Sequence, residues 1–418
     1  MKPFKAIYFD ESKTGPLAKV LAPPYDMISA EQQKQLLEKS EFNAARLILA
    51  GEVGAGNGSA DYTKPAKQMN EWLAGGVLAK DSAPGIYVYT QNFQMDGKKF
   101  ERTGIVCLLK LEELDKGKVF GHELTHSEPK KDRFELMKTT NANLEQILCF
   151  YEQGKGSDAV ERVSKRIMKK EKPFIALMDE NKMQHRVWRI KKAKDLGKIQ
   201  KFLKRKRVFI ADGHHRYITA WEFYQQFPSS DSAYISAFLT GEKNRGLHVK
   251  PFHRVIFGLK ANEKNFLHGL KKDFIVSETT AKDCIKQLAK LEKKHSFCLA
   301  LPKEKLYLLS LKEKNALAKL GYSKELGEID TAILLELVVK PLLNPPEGAD
   351  HKTYTNYPTD ENEAIEAVNQ GKGEMAFILN PVSVKQVKKI SLSREKMPPK
   401  TTCFQPKILS GLLMRRFE

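Results

Sequence analysis

Residues 208–217 read Val208-Phe209-Ile210-Ala211-Asp212-Gly213-His214-His215-Arg216-Tyr217, and the fold of the chain can be worked outward from them. The apolar run Val208-Phe209-Ile210 predicts a short buried strand. Ile218 to Tyr224 (ITAWEFY) predicts a helix with an apolar face. Between them, Asp212 falls where a helix N-cap belongs, and Gly213 lets the backbone approach a ligand closely. The first-turn N–H groups of a helix lack partners inside it, so with His214, His215 and Arg216 around them they make an anion site. Asp-Gly after a strand is also ordinary turn chemistry, and paired histidines occur at solvated helix starts. Polar, chemically able residues packed between two apolar segments point instead to phosphate handling.

At 418 residues the chain is long enough for two or three cores, since domains hold about 100–200 residues each. A composition of 41% hydrophobic and 29% charged residues is that of a folded chain rather than a disordered one. No stretch approaches the roughly 20 apolar residues that cross a bilayer. The opening Met1-Lys2-Pro3-Phe4-Lys5 puts a proline and charges where a signal peptide has its apolar core. The five cysteines (Cys107, Cys149, Cys284, Cys298, Cys403) are dispersed and form no C-x-x-C pair, so free thiols and a cytoplasmic location are expected, and a structural zinc site is not. The formal charge of +20 is largely lysine on solvated faces, densest at Lys201-Phe202-Leu203-Lys204-Arg205-Lys206-Arg207. It suits small polyanions and solubility. No DNA-reading module or aromatic-spaced basic stripe accompanies it, so nucleic acid is not the expected partner.

Along the chain, strands and helices alternate without internal repeats, and the class is α+β with mixed sheets. Ala6 to Phe9 predicts a strand. Pro23-Pro24 enforces an extended approach that presents Tyr25 and Asp26 at a turn, and Ser29 caps the helix that follows. Asn43 to Ala50 is expected to end in a strand that runs into the glycine-rich stretch 51–58, a candidate lid. That stretch lacks the lysine and serine of a phosphate loop. Ile86 to Phe93 and Thr103 to Lys110 predict paired strands around Asp96-Gly97. Phe174 to Asp179 with Arg186 to Ile190 predicts a second pair. Leu247 to Ile256 is expected to be one strand carrying His253 and Arg254, and 261–345 to be mainly helical. Residues 352–418 should hold a helix, a strand and the loop Met397-Pro398-Pro399-Lys400 through Pro406-Lys407.

Gly121-His122-Glu123-Leu124-Thr125-His126 is a candidate acid/base site, because a glutamate in a partly dry pocket can accept a hydroxyl proton. It also spells H-E-x-x-H, but the flanking Gly121 and Pro129 argue against the single helix that a zinc motif needs. Asp132 and Arg133, taken alone, read as a surface ion pair. His253, Arg254, Lys400 and Lys407 are single cationic sites whose value depends on converging upon one anion.

The strand–Asp-Gly-His-His-Arg–helix box resembles the signature of the ParB/sulfiredoxin-like superfamily. Further blocks resemble a long bacterial and protist family within it: Ala22-Pro23-Pro24-Tyr25-Asp26, Asn43 to Leu49, His122-Glu123-x-Thr125, Lys130-x-Asp132-Arg133, His253-Arg254, and the 397–407 loop. That family is similar to the free-serine kinases, which phosphorylate L-serine with ADP or, in some members, pyrophosphate. The resemblance implies a ParB/sulfiredoxin-like core at 156–260, with an N-terminal α/β region at 1–155. A helical region at 261–345 and a C-terminal α/β segment at 346–418 would follow. It implies Glu123 as base, with Asp212 as the alternative base or a magnesium-side group. Gly213, His214, His215, Arg216, Arg254, Lys400 and Lys407 would bind phosphate. Tyr25, Asp26, Thr125 and His253 would bind the acceptor. The donor would be pyrophosphate, ADP or ATP with Mg²⁺, and the product O-phosphoserine. A non-catalytic phosphate or nucleotide sensor and a ParB-like DNA-binding protein are the alternatives.

Overall fold

The computed structural model describes residues 1–54, 60–124, 127–154, 156–259, 261–291 and 295–418, the side chains of 127–129 excepted. Thr125 and His126, and most of the glycine-rich stretch after Gly54, lie outside the described residues. The chain divides into two compact units. The first comprises Met1–Gly121, Thr125–His248 and Pro406–Glu418, and the second His122–Leu124 and Val249–Gln405.

The first unit is built on a mixed sheet which, among the described residues, has eight strands. Their order is Val119–Phe120, Val208–Asp212, Ile147–Tyr151, Tyr234–Gly241, Lys98–Lys110, Ile86–Met95, Gln184–Ile190 and Ile175–Met178. Two pairings are parallel, Val208–Asp212 with Val119–Phe120 and Tyr234–Gly241 with Ile147–Tyr151; the rest are antiparallel. One face packs Val88, Ile105, Cys107, Cys149, Ile210 and Leu239 against helices Ala159–Lys170, Ala193–Leu203 and His214–Gln226, which contribute Val163, Ile199 and Tyr217. Phe150 and Phe209 stack 5.0 Å apart, centroid to centroid. The α+β class with a mixed sheet, expected from the alternation of elements, is what the chain adopts.

The second unit carries an antiparallel sheet with, among the described residues, six strands in the order Phe274–Thr279, Lys305–Leu311, Ser296–Leu301, Met375–Ile378, Arg254–Ile256 and Thr355–Asn356. Helices Ala281–Lys290 and Glu361–Asn369 bury Cys284, Leu288, Ala364 and Val368 against Cys298, Ala300, Ala376 and Ile378.

Several local expectations are corrected. The stretch 261–345 holds helices such as Glu263–Leu270 and Ala281–Lys290 and, beyond them, supplies three of those strands. Its lysines sit beside alternating apolar residues such as Leu306 and Leu308, whose buried face decides the sheet. Asn43 to Ala50 ends in a helix, Ala45–Ile48, because the Asn43 side chain accepts from Ala45 N at 2.9 Å and so favours a turn over a ladder. Leu247 to Ile256 is split into His248–Lys250 and Arg254–Ile256, since Pro251 between them has no N–H for a ladder. Cys284 and Cys298 form a disulfide rather than free thiols: helix Ala281–Lys290 packing on strand Ser296–Leu301 brings their Cα atoms within 6.0 Å. Cys107, Cys149 and Cys403 are buried thiols outside any disulfide. No helix among the described residues is long and apolar enough to cross a membrane.

Candidate anion-binding turn

The strand Val208–Asp212 delivers Asp212 as its last residue, and the register shifts against Ile147–Tyr151 between Ile210 and Asp212. Such a bulge re-aims the side chain at a strand end. Gly213, not Asp212, is the residue that caps helix His214–Gln226. Its φ of 93° lies in the left-handed region, and a Cβ there would come within 2.8 Å of Ile147 Cγ2 and 3.1 Å of Arg216 Nε. Glycine is therefore required by both backbone and space. Asp212 is freed from capping and can face other partners.

Those partners are cations. Arg216 Nη2 donates to Asp212 Oδ2 at 2.9 Å, and Lys407 Nζ donates to Asp212 Oδ1. Burial alone would raise the Asp212 pKa, but Lys407 and Arg216 hold the carboxyl well below its ordinary range. It stays ionised and makes a poor proton acceptor at neutral pH. Burial acts to lower the Arg216 pKa, yet Glu145, Asp212 and Asp26 push it above its ordinary value. Arg216 Nη1 donates to Gln146 O at 2.8 Å and lies 3.9 Å from Glu145 Oε1. His214 is buried, 2% exposed, and its ring lies 3.1 Å from where a Cβ on Gly121 would sit. His215 is half-buried.

Tyr25 and Asp26 are carried to the same place. Glu145 Oε1 accepts from Tyr25 N at 3.2 Å and lies 2.8 Å from Ser410 Oγ, which is also 3.0 Å from Pro23 O. The Pro-Pro approach is thus tied to Glu145, the residue that also flanks Arg216. The Arg133 guanidinium sits 4.0 Å from the Tyr25 ring centroid, and burial pushes the Tyr25 phenol up. Arg133 is in turn held by Asp132 at 2.7 Å and by Ile48 O at 2.7 Å, and Asp132 accepts from Tyr62 OH at 2.9 Å. Asp132 and Arg133 therefore form a mostly buried relay rather than a surface pair. Asp212, Gly213, His214, Arg216, Lys407, Tyr25 and Asp26 belong to one neighbourhood of the first unit. Glu145, Gln146 and Ser410 join them, although no motif or spacing in the sequence singles them out.

The remaining described candidates lie in the second unit. Glu123 is half-buried and pairs as an isolated parallel bridge with Met397, and His122 Nε2 lies 2.9 Å from Thr402 Oγ1. His122 and Glu123 are not helical, so a zinc-type helix is not formed there. Arg254 donates to Phe252 O, Pro399 O and Lys400 O at 2.7, 3.2 and 2.9 Å, and burial lowers its pKa to about 10. Lys400 Nζ lies 5.3 Å from the Phe252 ring centroid. His253 is buried, its Nδ1 accepts from Leu379 N at 3.2 Å, and its Nε2 has no hydrogen-bond partner among the described residues. Burial and Arg254 lower the His253 pKa to about 4, so its ring is neutral. The MPPK loop is thus clamped through main-chain carbonyls by Arg254. Thr125 lies outside the described residues.

Among the described residues, no group of three or more His, Cys, Asp or Glu side chains is placed to hold a metal ion. Both Asp212 oxygens already accept from cations. The turn therefore does not fit Mg²⁺ as a resident ion.

Residues 1–332 match the family model described as Protein of unknown function (DUF1015), and the chain belongs to that family. No curated protein matches the chain. Among solved structures, a free serine kinase variant in complex with AMP is similar at 13% identity and a TM-score of 0.37, over 72% of this chain and 87% of that one. A conserved hypothetical protein from Pyrococcus furiosus is similar at 14% identity and a TM-score of 0.35, over 72% and 90%. SbnI with a C-terminal truncation, from Staphylococcus aureus, is similar at 10% identity and a TM-score of 0.36, over 73% and 85%. Likeness at this level says nothing about chemistry.

Proposed function

We propose that this member of the DUF1015 family is a small-molecule phosphotransferase that phosphorylates free L-serine to O-phosphoserine, with pyrophosphate, ADP or ATP as donor. The observation that carries the reading is the Asp212–Gly213–His214 turn. There a long helix begins at a left-handed glycine, and Arg216 and Lys407, remote in sequence, meet on one carboxylate. Phosphoryl transfer asks mainly for positioned cations around the phosphoryl oxygens. Asp212 draws Arg216 and Lys407 together at the start of that helix, and His214 and His215 stand in the same turn. In this reading Asp212 is an anchor for cations rather than the base.

The serine hydroxyl attacks the donor's terminal phosphorus, the bond to the bridging oxygen breaks, and the hydroxyl proton passes to a carboxylate. Glu123 is proposed as that carboxylate. Tyr25, Asp26, Thr125 and His253 are proposed for the acceptor, and Arg254 and Lys400 as further phosphate ligands. Any Mg²⁺ would arrive on the donor's phosphates, and none of these residue roles depends on it.

The test is a donor screen with L-serine, Mg²⁺ and each donor in turn, read as O-phosphoserine by mass. Product is expected with at least one donor, and Glu123→Gln is expected to abolish it while leaving pyrophosphate binding within about twofold. No product with any donor, but tight anion binding, would replace the kinase by a sensor. Salt-steep DNA binding without turnover would favour the ParB-like alternative.

A further inference from the structure

Lys407 sits on a segment whose main chain is gripped by two buried polar side chains of the first unit. Gln91 Nε2 donates to Lys407 O at 2.8 Å, and Arg102 Nη2 donates to the carbonyl of the preceding Pro406. The grip is internally braced, since Arg102 Nε donates to Gln91 Oε1 at 3.0 Å. Gln91 and Arg102 lie directly opposite each other on adjacent antiparallel strands, and His185 faces Gln91 from the strand on the other side. Neither Gln91 nor Arg102 is exposed at all (0%).

Around them the packing is equally specific. The Arg102 guanidinium lies 5.5 Å from the Phe238 ring centroid, and Tyr89 meets the same ring edge-on at 5.4 Å. Tyr89 OH is 2.7 Å from His185 Nδ1, and His185 Nε2 is 3.2 Å from Asp179 Oδ2. A fully buried guanidinium is costly, and burial lowers the Arg102 pKa to about 10. Apolar residues of similar volume commonly serve packing as well or better. What an apolar pair could not do is fix two successive peptide groups, Pro406 and Lys407, whose orientation sets the reach of the Lys407 side chain to Asp212.

We propose that Gln91 and Arg102 are positioning residues: they hold the Pro406–Lys407 backbone so that the Lys407 ammonium is delivered to the anion-binding turn. The inference rests on the reading of that turn as the donor's phosphate site. Gln91→Glu is the discriminating change, because it keeps the acceptor for Arg102 and removes the donor to Lys407 O. Gln91→Met, of similar shape, serves if the glutamate variant does not fold.

The experiment uses the full chain and pyrophosphate as the probe, titrated calorimetrically. Gln91→Glu is expected to weaken binding about five- to tenfold in the natural chain and to have no further effect in a Lys407→Met background. An equal fold-loss in both backgrounds would overturn the proposal, since Gln91 would then act through general packing. If the natural chain binds no pyrophosphate, the donor-site reading fails, but the positioning claim is still decided by stability. Urea midpoints of the two single variants and the double variant must then be non-additive for it to stand, and additive shifts overturn it.

Discussion

Replacing Lys407 by methionine removes one of the two cations that donate to the Asp212 carboxylate and leaves the ion pair with Arg216 in place. The Asp212 and Lys407 side chains are 17% and 16% exposed, so water compensates little. Breaking a buried pair from one side costs about 3 kcal/mol at the lower end of the usual range. The sign with pH follows from Asp212 being held below its ordinary range. A carboxyl depressed in the folded state stabilises the fold above the unfolded pKa of about 3.9. That contribution then drains by about 1.4 kcal/mol for each pH unit below it. In Lys407→Met, burial pulls the Asp212 pKa back up, so the variant has less to lose in acid. The gap of about 3 kcal/mol at pH 7 should therefore narrow by about 1 kcal/mol at pH 3. All three tryptophans, Trp72, Trp188 and Trp221, belong to the first unit, so their fluorescence in urea reports the unfolding of that unit. An equal loss at both pH values would refute the reasoning, because Lys407 would then act through packing rather than charge.

Two further outcomes are expected. Gly213→Ala meets a φ of 93° and a Cβ contact of 2.8 Å with Ile147 Cγ2, so it should destabilise the first unit by about 2 kcal/mol or more and abolish pyrophosphate binding; undiminished binding in calorimetry would remove the turn from the site. Alkylation of the denatured, unreduced chain should modify Cys107, Cys149 and Cys403 but not Cys284 or Cys298, and Cys284→Ser with Cys298→Ser should cost the second unit about 3 kcal/mol; labelling of all five before reduction would contradict the bridge.

Much of the candidate site was legible locally. The strand, the glycine and the helix around Asp212 follow from a short apolar run, a residue able to take positive φ, and an apolar helix face. The expectation of an anion site at that turn rests on those residues alone, and the proposed function carries it forward. What could not be read was which role Asp212 takes. As an N-cap it would have accepted from its own helix; the bulge before it and the cap at Gly213 turn it toward Lys407 instead. Glu145 and Ser410 were invisible for a related reason. Their chemistry depends on meeting Tyr25 and Arg216, and each residue alone resembles any polar residue beside a buried strand.

The amino-acid sequence by itself determined the α+β class, the hairpin at Asp96-Gly97 and the capped helix after Ser29. It also determined the strand–glycine–helix form of the Asp212 turn, because these depend on contacts within a few residues, where periodicity and backbone preference suffice. Tertiary structure alone decided that the lysine-rich stretch 261–345 supplies strands to a sheet, and that Cys284 meets Cys298. It alone made Gln91 and Arg102 hold Lys407 against Asp212. Those outcomes are settled by which buried surfaces and polar groups from distant segments satisfy one another, a competition that no local pattern encodes.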